Sequence, residues 1–175
     1  MLIGIYNIAN ISAETMTIHH TKHHNTYVTN LNAALEKLDG AVSAGDVSDI
    51  IAMQGAIKFN GGGHLNHTLF WENMCDPSSS ELKDGALSDL ITSSFGSYEA
   101  MKNSMAPAAV GVQGSGWAWL GYNKKSDRLE IATCPNQVRK DFILFYLMIA
   151  YIDIRNDQCL GSARGDYRIG PNCWY

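Results

Sequence analysis

The chain lacks the long apolar run that would cross a bilayer. Its most apolar stretch, Phe142 to Ile152, is about half the length a spanning helix needs. No arginine-rich run is present, and the formal charge of −4 supplies no basic field for nucleic acid. Its four cysteines (Cys75, Cys134, Cys159, Cys173) are scattered and form no CxxC pair, so they read as reduced thiols of an intracellular compartment rather than a disulfide scaffold. Met1 to Ala9 has neither a charged start nor a long apolar centre, and no signal peptide is expected. Absent too are HExxH, the Gly-x-Ser-x-Gly elbow, and any cysteine beside a histidine, which removes the common zinc-hydrolase and nucleophile signatures. The glycine-rich Gly111 to Gly121 is neither a Walker loop nor GxGxxG. Close backbone packing beside Trp117 and Trp119 is its expected purpose, with Trp119 in the core. No internal repeat is visible.

With 46% apolar and 17% charged residues, the 175-residue chain has the composition of one compact domain or two small lobes sharing a core. Ile11 to Leu38 has the pattern of a long helix, with Ser12 as N-cap and Asp39-Gly40 as its stop; Ala41 to Asp46 reads as a turn. Val47 to Phe59 is a weaker helical stretch. Asn60-Gly61-Gly62-Gly63, which would ordinarily break a helix, leads straight into His64 to Met74. These segments predict an antiparallel hairpin. Cys75 to Lys83 reads as a linker. Leu82 to Phe95 and Tyr98 to Met105 follow as short helices parted by Gly96-Ser97. Val110 to Tyr122 and Arg128 to Thr133, joined by a turn at Asn123 to Asp127, read as an antiparallel pair, and Phe142 to Ile152 as a buried strand. The expected class is α+β: an N-terminal antiparallel helical hairpin domain over residues 1–76, then a lobe over 82–175 with a small antiparallel sheet and flanking helices.

Four of the six histidines fall within His19-His20-Thr21-Lys22-His23-His24. At about 100° per residue, His19, His23 and Tyr27 share a stripe, with His20 and His24 close beside it, continued by Leu31, Leu35 and Leu38, so the stripe is expected to face inward. His64 and His67 form a second pair on another helix. Together the two pairs provide enough imidazoles for a three-nitrogen transition-metal site.

In order and spacing, four segments resemble the manganese/iron superoxide dismutase family. They are His19-His20-Thr21-Lys22-His23-His24-x-x-Tyr27-Val28, Phe59-Asn60-Gly61-Gly62-Gly63-His64-x-Asn66-His67-x-x-Phe70-Trp71, Val112-Gln113-Gly114-Ser115-Gly116-Trp117-x-Trp119-Leu120, and Cys134-Pro135-Asn136-Gln137. The resemblance covers about residues 11 to 137. Gly63, where iron enzymes carry glutamine, together with Gln137 resembles the manganese type, with iron as the alternative metal. The family binds its metal through three histidines, one aspartate and a solvent molecule. The resemblance implies His19 and His67 as ligands, Tyr27 and His23 at the mouth of the substrate funnel, Gln137 hydrogen-bonded to the bound solvent, and Trp71 and Trp117 lining the site. It also implies superoxide as substrate, Lys22 as a cation attracting it, a homodimer or homotetramer, and a mitochondrial matrix or cytoplasmic location.

Past Gln137 the pattern departs from the family. At the family's spacing Asp153 meets the aspartate ligand. Arg155, Asn156 and Asp157 then stand where the motif Asp-x-Trp-Glu-His has tryptophan, glutamate and the last ligand histidine. The glutamate normally bridges to a partner subunit, so the dimer contact is altered too. Arg164 to Tyr167 only loosely echoes the family's Arg-x-Asp-Tyr. Either Asp157 is a true substitution, giving a shell of His19, His67, Asp153 and Asp157, or the last forty or so residues come from an altered reading frame or exon. The expected function is superoxide dismutation. The alternatives are a catalytically impaired homologue, non-enzymatic and acting as a metal-binding or interaction protein, and a structural zinc site on the histidines.

Overall fold

The structure, a computed structural model, describes residues 11–74, 81–137 and, as backbone, 146–150. Its first helix is capped at Ser12, whose Oγ accepts from the Thr15 N–H at 3.1 Å. The helix runs as three joined segments: α1 (Ala13–Ile18), a π-helical segment (His19–His24) and α2 (Asn25–Ala44). The expected stop at Asp39-Gly40 does not occur. The helix continues through Gly40 and ends at Gly45, whose φ of 68° is the left-handed conformation that closes helices and suits glycine.

After Asp46, which caps the Asp49 N–H, α3 (Val47–Glu72) returns antiparallel to α2 and completes the hairpin. This helix passes unbroken through Gly61-Gly62-Gly63, where a break would be ordinary. Each glycine costs a helix interior about 1 kcal/mol relative to alanine. Close packing offsets that cost: a Cβ on Gly62 would collide with the Gln137 carbonyl oxygen, and one on Gly63 would fall on the Tyr27 ring. Gly62 and Gly63 let other chain segments approach.

The second part of the chain begins with α4 (Ala86–Phe95) and α5 (Tyr98–Val110), parted at Gly96-Ser97 as expected. Helix α5 is longer than its pattern suggests, running through Pro107. Strands β1 (Gly116–Asn123) and β2 (Arg128–Pro135) pair antiparallel, from Gly116 opposite Pro135 to Asn123 opposite Arg128. β3 (Tyr146–Ala150) lies within the predicted Phe142 to Ile152 strand and joins the far side of β1, giving the order β2-β1-β3. The class is α+β, as the sequence predicts.

Residues 117–121 of β1 are buried without alternation because both faces of the strand are covered. Leu120 packs with Ile91, Met101 and Leu129 beneath α4 and α5. Trp117 and Trp119, two residues apart and therefore on one face, stack at 5.2 Å and pack with Phe70, Trp71 and Cys134. This second cluster joins the hairpin to the sheet. Each buried aromatic side chain there contributes about 1.5–3 kcal/mol, so the seam between the two parts is firmly held. Cys134 is a free thiol inside it; Cys75, Cys159 and Cys173 lie outside the described residues. No helix among the described residues is long and apolar enough to cross a membrane.

Candidate metal centre

The hairpin brings His19 and His67 face to face, their Nε2 atoms 3.1 Å apart. His67 is buried and donates its Nδ1 hydrogen to the Gly63 carbonyl at 2.7 Å, which leaves Nε2 as a bare lone pair. Such a backbone anchor on the far nitrogen is how proteins orient a ligating imidazole. Burial, the largest influence, lowers the His67 pKa below its usual value against the upward pull of the Gly63 hydrogen bond, and the nearby His23 and His64 push it down further. The ring is therefore ready as a neutral ligand. Two nitrogens each ~2.1 Å from one transition-metal ion, and near a right angle apart at it, are ~3 Å from one another. The pair fits half a metal shell. Among the described residues no group of three or more His, Cys, Asp or Glu side chains is placed to hold a metal. The expected three-nitrogen site is therefore not formed by the hairpin alone. Asp153 and Asp157 lie outside the described residues.

Beside the pair is a cleft of about 500 Å³, lined by His19, His23, Tyr27, His67, Trp117 and Gln137 among others. Gln137 reaches it because Asn136 takes a left-handed turn (φ 54°) just after β2, its N–H donating to Ser115 O at 2.7 Å. Asparagine tolerates this conformation. The Gln137 side chain is buried and its orientation is fixed by Trp117. An indole N–H can only donate, so the atom it meets at 2.9 Å is Gln137 Oε1, which also accepts from Asn66 Nδ2 at 3.2 Å. Gln137 Nε2 is thereby turned to Tyr27 and donates to its hydroxyl oxygen at 3.1 Å. Tyr27 thus keeps its own hydroxyl hydrogen for another acceptor.

The predicted stripe is only partly inward: His23 is exposed at the cleft rim. Lys22 is exposed and does not line the cleft. Sequence periodicity placed His24 close beside that stripe but gave it no role. In an α-helix, residues five apart sit on different faces, whereas one π turn, with its i to i+5 bonds, nearly superposes them. His19 and His24 consequently both turn toward α3. His24 Nε2 lies 2.8 Å from His64 Nδ1, and Trp71 Nε1 donates to His24 Nδ1 at 2.9 Å. Burial above all, and then the surrounding histidines, lowers the His24 pKa to about 4. The run of four histidines and their place beside the stripe carried the signal, but the contact of His24 with α3 depends on the π register.

The helical hairpin with paired imidazoles, the Trp-walled cleft and the glutamine delivered from the sheet agree with the family comparisons. Iron/manganese superoxide dismutases, alpha-hairpin domain, matches residues 9–75, and the C-terminal domain of the same family matches residues 83–153. The chain belongs to the iron/manganese superoxide dismutase family. The C-terminal match extends sixteen residues beyond the Gln137 limit of the resemblance, as far as Asp153. Curated relatives agree. A protein named manganese superoxide dismutase, mitochondrial, from Branchiostoma floridae is 57% identical over 127 residues, 73% of this chain and 88% of the relative. One of the same name from Palinurus vulgaris is 54% identical over the same shares. Another from Cryptococcus neoformans var. grubii is 49% identical over 147 residues, 82% of this chain and 64% of the relative.

Proposed function

We propose that this member of the iron/manganese superoxide dismutase family is a manganese-dependent superoxide dismutase, converting two superoxide ions and two protons to oxygen and hydrogen peroxide. The observation that carries it is the convergence of His19 and His67 at 3.1 Å beside the Gln137–Tyr27 hydrogen bond. His19 and His67 hold the metal, with Asp153 and Asp157 as the remaining protein ligands. The C-terminal family match, which reaches Asp153, supports Asp153 alone; Asp157 rests on the spacing of the family motif. The bound metal supplies one-electron exchange between its +2 and +3 states, which nitrogen and carboxylate ligands suit.

This chain's own residues bring the anion and the protons. His23 at the rim and Tyr27 in the wall narrow the approach. Tyr27 accepts from Gln137 and therefore presents its Oη hydrogen toward the cleft, where it is positioned to hydrogen-bond an incoming anion and pass on a proton. Trp117 holds the donor direction of this relay and, with Phe70 and Trp71, keeps the surroundings of His67 apolar. Gly63 leaves no room for a side chain beside Tyr27, so the amide near the site comes from Gln137, in keeping with manganese. We assign residues 1–76 to the hairpin domain and 82–175 to the sheet-bearing domain, which the limits of the two family matches support. The mitochondrial names of the relatives support the matrix as the compartment. Exposed Val42, Val47 and Ile51 at the hairpin tip support self-association as a homodimer or homotetramer.

Elemental analysis of chain purified without chelator, followed by a superoxide assay, tests the reading. About one manganese per chain with dismutation is expected; little metal, or zinc alone, overturns it. Asp157→His should raise manganese occupancy and activity if Asp157 occupies the place of the family's last histidine. No change in either would remove Asp157 from the ligand set.

A further inference from the structure

We propose that His24 is a positioning residue of the metal centre, bracing His67 through its ring face and His19 through Trp71. This rests on the dismutase reading and concerns a side chain outside its ligand set. The donor chemistry of Trp71 fixes the arrangement. Its indole N–H can only donate, so His24 Nδ1, 2.9 Å away, carries no hydrogen. The imidazole hydrogen is therefore on Nε2 and is donated to His64 Nδ1 at 2.8 Å. That in turn places the His64 hydrogen on its own Nε2. The chain of bonds runs one way, from Trp71 through His24 to His64, and holds the His24 ring in one tautomer and one plane.

That plane lies against a ligand. The His24 and His67 rings stack with centroids 5.3 Å apart and 16° between planes, while His64 stacks on His24 at 5.1 Å and 23°. His67 is thus fixed at its edge by the Gly63 carbonyl and on its face by His24. Trp71, held by His24, meets the His19 ring edge-on at 5.1 Å. One side chain therefore supports both imidazoles whose Nε2 atoms converge. The π turn makes this possible by aiming His19 and His24 at the same helix.

The test measures Mn²⁺ affinity of the metal-free, full-length chain by competition with a chelator, alongside the circular dichroism and melting temperature of each variant. His24→Ala is expected to weaken Mn²⁺ binding 10- to 100-fold, the loss usual for partners that orient a ligand. His24→Asn, whose Oδ1 can still accept from Trp71, should recover part of it. Nitrogen-15 imidazole spectra of the metal-free protein should show His24 and His64 both protonated at Nε2. Wild-type Mn²⁺ affinity in a folded His24→Ala chain overturns the proposal, as does an Nδ1-protonated His24. Equal losses in the Ala and Asn variants that track their melting temperatures overturn it too, because they indicate stability alone. A wild-type chain that binds Mn²⁺ without dismutating superoxide overturns the dismutase reading, while the affinities still decide the role of His24. A wild-type chain that binds no Mn²⁺ overturns both.

Discussion

The hairpin carries two cross-helix histidine pairs with nearly the same spacing, His19 with His67 and His24 with His64, at 3.1 Å and 2.8 Å. Their surroundings separate them. The first faces a cleft, with the far nitrogen of His67 anchored on a carbonyl, so its near nitrogen is a lone pair that accepts from His19 Nε2 and suits a cation. In the second pair Trp71 occupies one nitrogen of His24, and the other is spent on His64. The same residue type makes a ligand in one place and a strut in the other. The direction of the hydrogen bond at the far nitrogen makes the difference.

Removing one member of each pair gives the largest contrast. His67→Ala should reduce manganese content to near zero and abolish dismutation, read by elemental analysis and a superoxide assay. Manganese retained at the wild-type level in that variant would end the distinction drawn here. Next comes the glycine that lets the first pair and its cleft form. Gly63→Ala drives a methyl into the Tyr27 ring, and overpacking of this kind costs about 1–3 kcal/mol. A lowered melting temperature with reduced activity is expected, and an unchanged one would mean Tyr27 moves freely.

The second pair has its own signature in pH. His24 titrates at about 4 when folded and near 6.5 when unfolded. Between those values the unfolded chain binds more protons, so stability is full above pH 6.5 and is lost as pH falls toward 4. Burial shifts His64 and His67 in the same direction. Urea midpoints of the metal-free protein should fall over that window, and less steeply in His24→Asn. The smallest effect belongs to His64→Ala, which removes one partly exposed hydrogen bond worth about 1 kcal/mol. Manganese content should remain near wild type, with only a slight drop in melting temperature.

Much of this was legible in the chain. The hairpin followed from its apolar period, the Ser12 cap and a turn placed at Ala41 to Asp46, of which the structure keeps only the end at Gly45-Asp46. The convergence of His19 and His67 followed from two histidine pairs on adjacent antiparallel helices. The places where reading failed share a cause. Gly40 and Gly61 to Gly63 look like breaks because local preference is against them, yet the helices continue; at Gly62 and Gly63 neighbours pack against the bare backbone, while Gly40 has open space around it. His24 was placed beside the stripe but given no role, because a uniform 100° step does not foresee the π turn that aims it at α3.

By itself, then, the sequence determined the class of fold, the order of its elements, the family and the residue types of the site, because periodicity, capping and motif spacing are local properties. The tertiary structure alone decided which nitrogen of His24, His64 and His67 is bare, that Trp117 aims the Gln137 amide at Tyr27, and that Gly62 and Gly63 serve as contact points. Those are matters of hydrogen-bond direction and close approach between segments distant in the chain, and they exist only once the hairpin has met the sheet.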